Sequence, residues 1–275
     1  MSVQQTTPLE ALLKRDRSLI IAGLFLAVAL SWAYMVQAAW NMPDMANSAG
    51  NFAHAMKMAM AQVMRWSTTD FVLTVIMWAV MMIAMMVPAA APMILLFATI
   101  NRKHHQNKQP FVATGVFLAG YLVIWWGFSI FATMAQWGLH QAAMLSSMMG
   151  SVSPVLGGSL LIAAGIFQWT PLKSACLKHC RSPLDHLISH WRDGAQGAFR
   201  MGIEHGMYCL GCCWFLMGLM FVAGVMNLAW MGAIAVYVLL EKVLPQRRWS
   251  NIATWATGAG MVAWGVWIIL IVPGL

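Results

Sequence analysis

All five cysteines of this 275-residue chain lie between Cys176 and Cys213. Cys176 and Cys180 are four residues apart; His205, Cys209 and Cys213 repeat that interval, with Cys212 one turn beyond Cys209. Side chains four apart stack on one face of a helix, so each segment presents a column of soft donors and two facing helices could close a site. Thiolate and imidazole suit Cu(I), Zn(II) or a similar thiophilic ion, and metal binding would hold the thiols deprotonated. A lone cysteine in an apolar helix is usually a small filler. Clustering of all five, with His179 and His205 beside them, sets ligation against that reading. No CxxCH occurs, and the spacing is not that of a zinc finger.

Methionine is the second soft donor, with 25 copies. Met77, Met81 and Met85 share one helical face, Met82 and Met86 the adjoining one, and Pro88 and Pro92 follow with Met93 beyond. The prolines should kink the helix and free the carbonyls of Ala84 and Pro88. Packing is the alternative, because methionine fills irregular helix interfaces. Met217, Met220, Met226 and Met231 carry thioethers away from the cysteines, which makes a path of soft donors conceivable. Methionine is a poor zinc ligand, so its supply favours Cu(I). A further group, Met42, Met45, His54, Met56, Met58, Met60 and Met64, could collect Cu(I) on one face of an amphipathic helix or rest on lipid. His186 and His190 share a face more weakly, and His140 reads as an interfacial residue. Glu204 beside His205, and Glu241 beside Lys242, are carboxylates placed where they are costly. Support of the ligands from behind is the favoured role, with snorkelling the alternative for Glu241.

Apolar helices must position these groups. Hydrophobic residues make up 61% of the chain and charged ones 9%, too greasy for a soluble domain of this length. A hydrocarbon core of about 30 Å takes roughly 20 helical residues per crossing. Candidate spans fall near 18–40, 71–99, 111–137, 153–169, 207–226, 228–244 and 251–272. The expected fold is therefore all-α, a polytopic transmembrane helix bundle of about seven spans, with six plus a re-entrant hairpin as the alternative. Residues 1–275 form a single integral membrane domain, with an external Met/His segment at 41–70 and a cytoplasmic segment at 170–205. Of sixteen Lys and Arg residues, all but Lys57 and Arg65 fall in one alternating set of gaps, which places the N-terminus in the cytoplasm. The net charge of +8 then reflects this bias and contact with the lipid bilayer, not nucleic-acid binding. The first span is too long for a signal peptide and stays as an anchor. Ser182, Pro183, Leu184 and Asp185 read as the start of a surface helix, with Gly194 as its stop. The cysteines map to the cytoplasmic ends of spans, where thiols stay reduced.

Several stretches resemble the bacterial predicted metal-binding integral membrane proteins, a family once described only as a domain of unknown function and including copper-chaperone-like proteins associated with polyphenol oxidases. They are Met81 through Pro88 with Pro92; Gln168 through Lys173 on to Cys176, Cys180, Arg181 and Pro183; Gly202 through His205, Gly206, Cys209, Leu210, Gly211, Cys212 and Cys213; and Glu241 with Lys242. The resemblance implies a multi-pass protein of the bacterial inner membrane, working with a copper-dependent enzyme or another metallochaperone. The metal donors it points to are Cys176, Cys180, His205, Cys209, Cys212 and Cys213, with Met81, Met82, Met85 and Met86 along the helix.

The expected function is Cu(I) handling for delivery, without enzymatic activity; Zn(II) is the second metal. Passive or coupled Cu(I) transport is the nearest alternative. No GxxxxGK[ST] motif is present to drive it with ATP. From another class, Cys209 and Cys212 form a CxxC pair that could serve a membrane thiol oxidoreductase, although a reducing compartment argues against it.

Overall fold

The computed structural model describes residues 8–40, 66–105, 110–142, 152–182, 191–244 and 248–271, with Leu184, Leu187 and Ser189. The external Met/His group, Pro183, Asp185, His186 and His190 lie outside these residues. The described residues fold into helices without a strand: α1 (Pro8–Trp40), α2 (Thr68–His105), α3 (Pro110–Gln141), α4 (Pro154–Gln168), α5 (Pro171–Arg181), α6 (Gly194–Gly218), α7 (Met220–Ala223), α8 (Leu228–Val243) and α9 (Arg248–Ile271). Long apolar runs favour this outcome, since a helix satisfies its own backbone polar groups where water is absent. Local chemistry sets the ends. Ser67 and Asp70 exchange side-chain and backbone hydrogen bonds at the start of α2 (3.0 and 3.2 Å), Thr170 accepts from the Lys173 amide at α5, and Asn227 accepts from the Trp230 amide at α8.

Among the described residues, five helical stretches are long and apolar enough to cross a membrane: Arg17–Trp40, Thr68–Arg102, Ala113–Gln141, Gly194–Ala223 and Ile252–Ile271. α4 and α5, bent by 65° at their junction, pass the same test together and would make a sixth among the described residues. α8, read as a span from the sequence, has only 16 residues and falls short. The most apolar window of α2 is 61% buried, whereas those of α1 and α9 are 11% buried, so α2 is the centre of the bundle and α1 and α9 its rim. Phe25, Leu30, Trp255 and Leu270 on the rim are exposed. An apolar exterior on this scale calls for lipid around it.

Glycine sets the closest crossings. A Cβ at Gly202 of α6 would run into the Phe117 carbonyl of α3, and one at Gly120 of α3 into the Phe199 carbonyl of α6. These two backbones are in direct contact, as is common where small residues line membrane helices. α4 and α9 cross antiparallel through Gly158 against Gly265 and Gly165 against Gly258. α2 runs unbroken through Pro88 and Pro92. Gly194 departs from expectation: the chain leaves helical geometry earlier, at Trp191–Asp193, and Gly194, with φ of 79°, opens α6 instead of closing the helix before it. A positive φ suits the sharp change of direction needed there.

Candidate metal centre

The close α3–α6 contact fixes which side of α6 is buried. His205, Gly206, Cys209, Cys212, Cys213, Leu216 and Met217 all face inward. At mid-helix a thiol can turn back to a carbonyl of the preceding turn, and both Cys212 and Cys213 donate to the Cys209 carbonyl (3.1 and 2.9 Å). α5 lies along α6 on the same side. Cys180 lies beside Cys212, and Cys176 Sγ sits where a Cβ on Gly211 would be only 2.8 Å away. Gly211 thus lets the two cysteine-bearing helices approach.

α2 supplies a thioether to the group. Met86 Sδ is 3.9 Å from Cys213 Sγ, and both residues are fully buried. With metal–sulfur bonds of about 2.3 Å, two sulfurs on one ion stand about 3.8 Å apart in tetrahedral geometry, about 4.0 Å in trigonal and about 4.6 Å in linear. The observed separation falls in the trigonal-to-tetrahedral range. The Tyr121 hydroxyl from α3 donates to the Met86 carbonyl and lies 3.1 Å from Cys209 Sγ. From α8, the Lys242 ammonium donates to Cys209 Sγ at 2.7 Å. Four helices therefore converge on the α6 cysteines, from α2, α3, α5 and α8.

Glu241 turns to a different neighbour. Its carboxylate accepts from Lys173 Nζ at 2.8 and 2.9 Å and from the Tyr237 hydroxyl at 2.8 Å, and its backbone carbonyl accepts from Arg181 Nε at 2.6 Å. Lys173 also donates to Gln168 Oε1, and its side chain is only 1% exposed. A buried charge persists when it is paired and hydrogen-bonded, as here. The pair ties α5 to the end of α8, one residue before Lys242. Glu241 thus neither snorkels nor contacts the sulfurs; it anchors the helix that carries the ammonium. Glu204 is placed otherwise, with Arg192 and Arg200 at 3.3 and 3.5 Å on a half-buried surface.

His205 is buried with its ring against Tyr121 and Phe117, centroids 5.6 and 6.2 Å apart. His179 stacks on Tyr208 at 4.1 Å. Met81, Met82 and Met85 are buried in the α2 core, and of the four expected donors on that helix it is Met86 whose sulfur reaches a thiol. Among the described residues no three of the His, Cys, Asp and Glu side chains already stand in a metal-ligand arrangement. The hydrogen bonds explain why: the Cys212 and Cys213 thiols point back at a carbonyl, and an ammonium sits on Cys209. Ligation requires these side chains to turn. Sequence reasoning missed Tyr121 and Lys173, and saw Lys242 only as the neighbour of Glu241. Neither carried a local signal: Lys173 sits in a polar segment with Lys178, His179 and Arg181, and Tyr121 in an apolar one.

The family described as PpoB2, copper chaperone, matches residues 75–268. The chain belongs to that family. The matched region runs from α2 into α9 and contains every cysteine, Met86, Tyr121, Lys173, Glu241 and Lys242. No curated protein and no solved structure matches the chain. Family membership supports a copper-handling role for this helical chain, whose long apolar helices could span a membrane.

Proposed function

We propose that the chain carries Cu(I) at the buried sulfurs of Cys209, Cys212 and Cys213, with Cys180 and Cys176 on α5 and Met86 on α2 completing the donor set, and passes it by ligand exchange to a copper-dependent enzyme or to another metallochaperone. The observation that carries this reading is the Cys213–Met86 pair, a thiol and a thioether 3.9 Å apart in a dry core. That pairing favours Cu(I), because soft sulfur donors select it and thioether is a poor ligand for Zn(II). His205, one turn before Cys209 on α6 and buried, is a further candidate donor. On this reading the chain is one integral membrane domain of the bacterial inner membrane, with its N-terminus in the cytoplasm, and it catalyses no reaction of its own.

The test is anaerobic Cu(I) loading of the purified chain, with metal counted per protein and its shell read by X-ray absorption. Cys209, Cys212 and Cys213 changed together to Ser should abolish tight loading, and Met86→Leu should remove one long sulfur scatterer. Unchanged stoichiometry in the triple variant would refute the reading. Passive transport is kept as a second reading because Met81, Met85, Met217, Met220 and Met231 are all buried and could extend a soft path. It is tested by Cu(I) uptake into vesicles containing the chain.

A further inference from the structure

The bend between α4 and α5 opens a cavity of about 310 Å³ against α9, away from the α6 cysteines. Gln168, Trp169, Lys173, Lys178, Arg181 and Trp255 lie in its wall, and among the described residues that line it none is a carboxylate. Lys173 is already neutralised by Glu241, so the charge available to a ligand comes from Lys178 and Arg181. Lys178 is exposed and Arg181 half-buried.

Gln168 is a second, independent observation. It is only 5% exposed, its Oε1 is held by Lys173, and its Nε2 is buried without any hydrogen-bond partner. A buried amide with idle N–H groups is rare, and beside two cations it calls for an acceptor-rich anion. Trp169 and Trp255 stack at 5.3 Å in the same wall, giving the cavity one amphipathic aromatic side of the kind found at membrane–water boundaries. Exposed Ile166, Leu172 and Ile252 lie on the same three helices and offer apolar surface to an acyl chain.

We propose that this cavity is a binding site for a phosphate-bearing anion, with the Gln168 amide and the Lys178 and Arg181 cations as its donors. Basic pockets between membrane helices take lipid headgroups in this way. A phosphatidylglycerol headgroup and free phosphate share that chemistry, and the apolar surroundings favour the lipid. The site is independent of the copper reading.

The experiment uses the full chain in phosphatidylcholine nanodiscs or neutral detergent, with bound lipid counted by native mass spectrometry. Quenching of Trp by brominated lipid gives the affinity. In one arm phosphatidylglycerol is titrated against phosphatidylcholine; in the other, inorganic phosphate is the probe. Preferential binding of phosphatidylglycerol, or saturable binding of phosphate, supports the site and tells the sources apart. Lys178→Gln should weaken the binding about fivefold, the worth of one basic side chain near a membrane surface, and Lys178→Arg should keep it. Lys178 is exposed and its replacement leaves the buried network intact; Gln168→Leu, checked for folding, should weaken binding further. No preference in either arm, or a preference equal in wild type and Lys178→Gln, overturns the proposal.

Discussion

Replacing Glu241 by Gln should be among the most damaging single changes in the chain. The Lys173 side chain is 1% exposed and that of Glu241 7%, and the ammonium meets both carboxylate oxygens at 2.8 and 2.9 Å. Solvent screening is therefore slight. Removing the negative partner leaves an ammonium in a dry site with only the Gln168 carbonyl and a neutral amide, at a cost of about 3–5 kcal/mol. Removing both charges is a different perturbation. In Lys173→Met with Glu241→Leu the losses are the hydrogen-bond partners of Tyr237 and of Gln168 Oε1, about 1 kcal/mol each, offset by cheaper burial of apolar groups. The double variant should thus be more stable than Glu241→Gln alone. Unfolding in mixed micelles, followed by Trp fluorescence, measures both. A Glu241→Gln loss below about 1 kcal/mol, the range of a solvated pair, would refute the reasoning. So would a double variant weaker than either single one.

Tyr121→Phe should cost about 1 kcal/mol of stability, through the lost hydrogen bond to the Met86 carbonyl, and should loosen bound Cu(I) in a competition assay with a chromophoric chelator. Gly202→Ala puts a methyl group into the Phe117 carbonyl, so α3 and α6 must part; a loss of about 1–3 kcal/mol is expected in the same unfolding assay, against almost none for Gly138→Ala, whose Cβ meets nothing within 4 Å. Trp78→Phe leaves the buried Gln136 carbonyl without its indole donor, now at 2.7 Å, and should cost about 1–3 kcal/mol beyond the lost ring area.

Helix type and the inward face of α6 were legible because both rest on periodicity. A column at 205, 209 and 213 stays a column whatever the helix packs against, and the apolar run from 228 to 244 ends within a residue of α8. Span number was harder: α8 is apolar enough but short, a matter of a few residues that hydropathy does not weigh. The contacts to Tyr121, Lys242 and Lys173 were illegible for another reason. Each joins residues 33 to 88 positions apart, and the pairing depends on how α3, α5 and α8 dock, which no local pattern encodes. Glu241 shows the boundary: its cost inside an apolar segment announced a partner, but not that the partner would be a lysine on α5.

The ammonium on Cys209 also bears on what an arriving ion meets. Lys242 already lends that sulfur one unit of positive charge at 2.7 Å. On the proposed reading a monovalent metal on that sulfur displaces the ammonium only sideways, so its added charge is offset where a thiol donor gives up its proton. Loading on the proposed reading then needs this four-carbon arm to swing aside and the Cys212 and Cys213 thiols to turn from the Cys209 carbonyl, side-chain movements at the seam of α6 and α8.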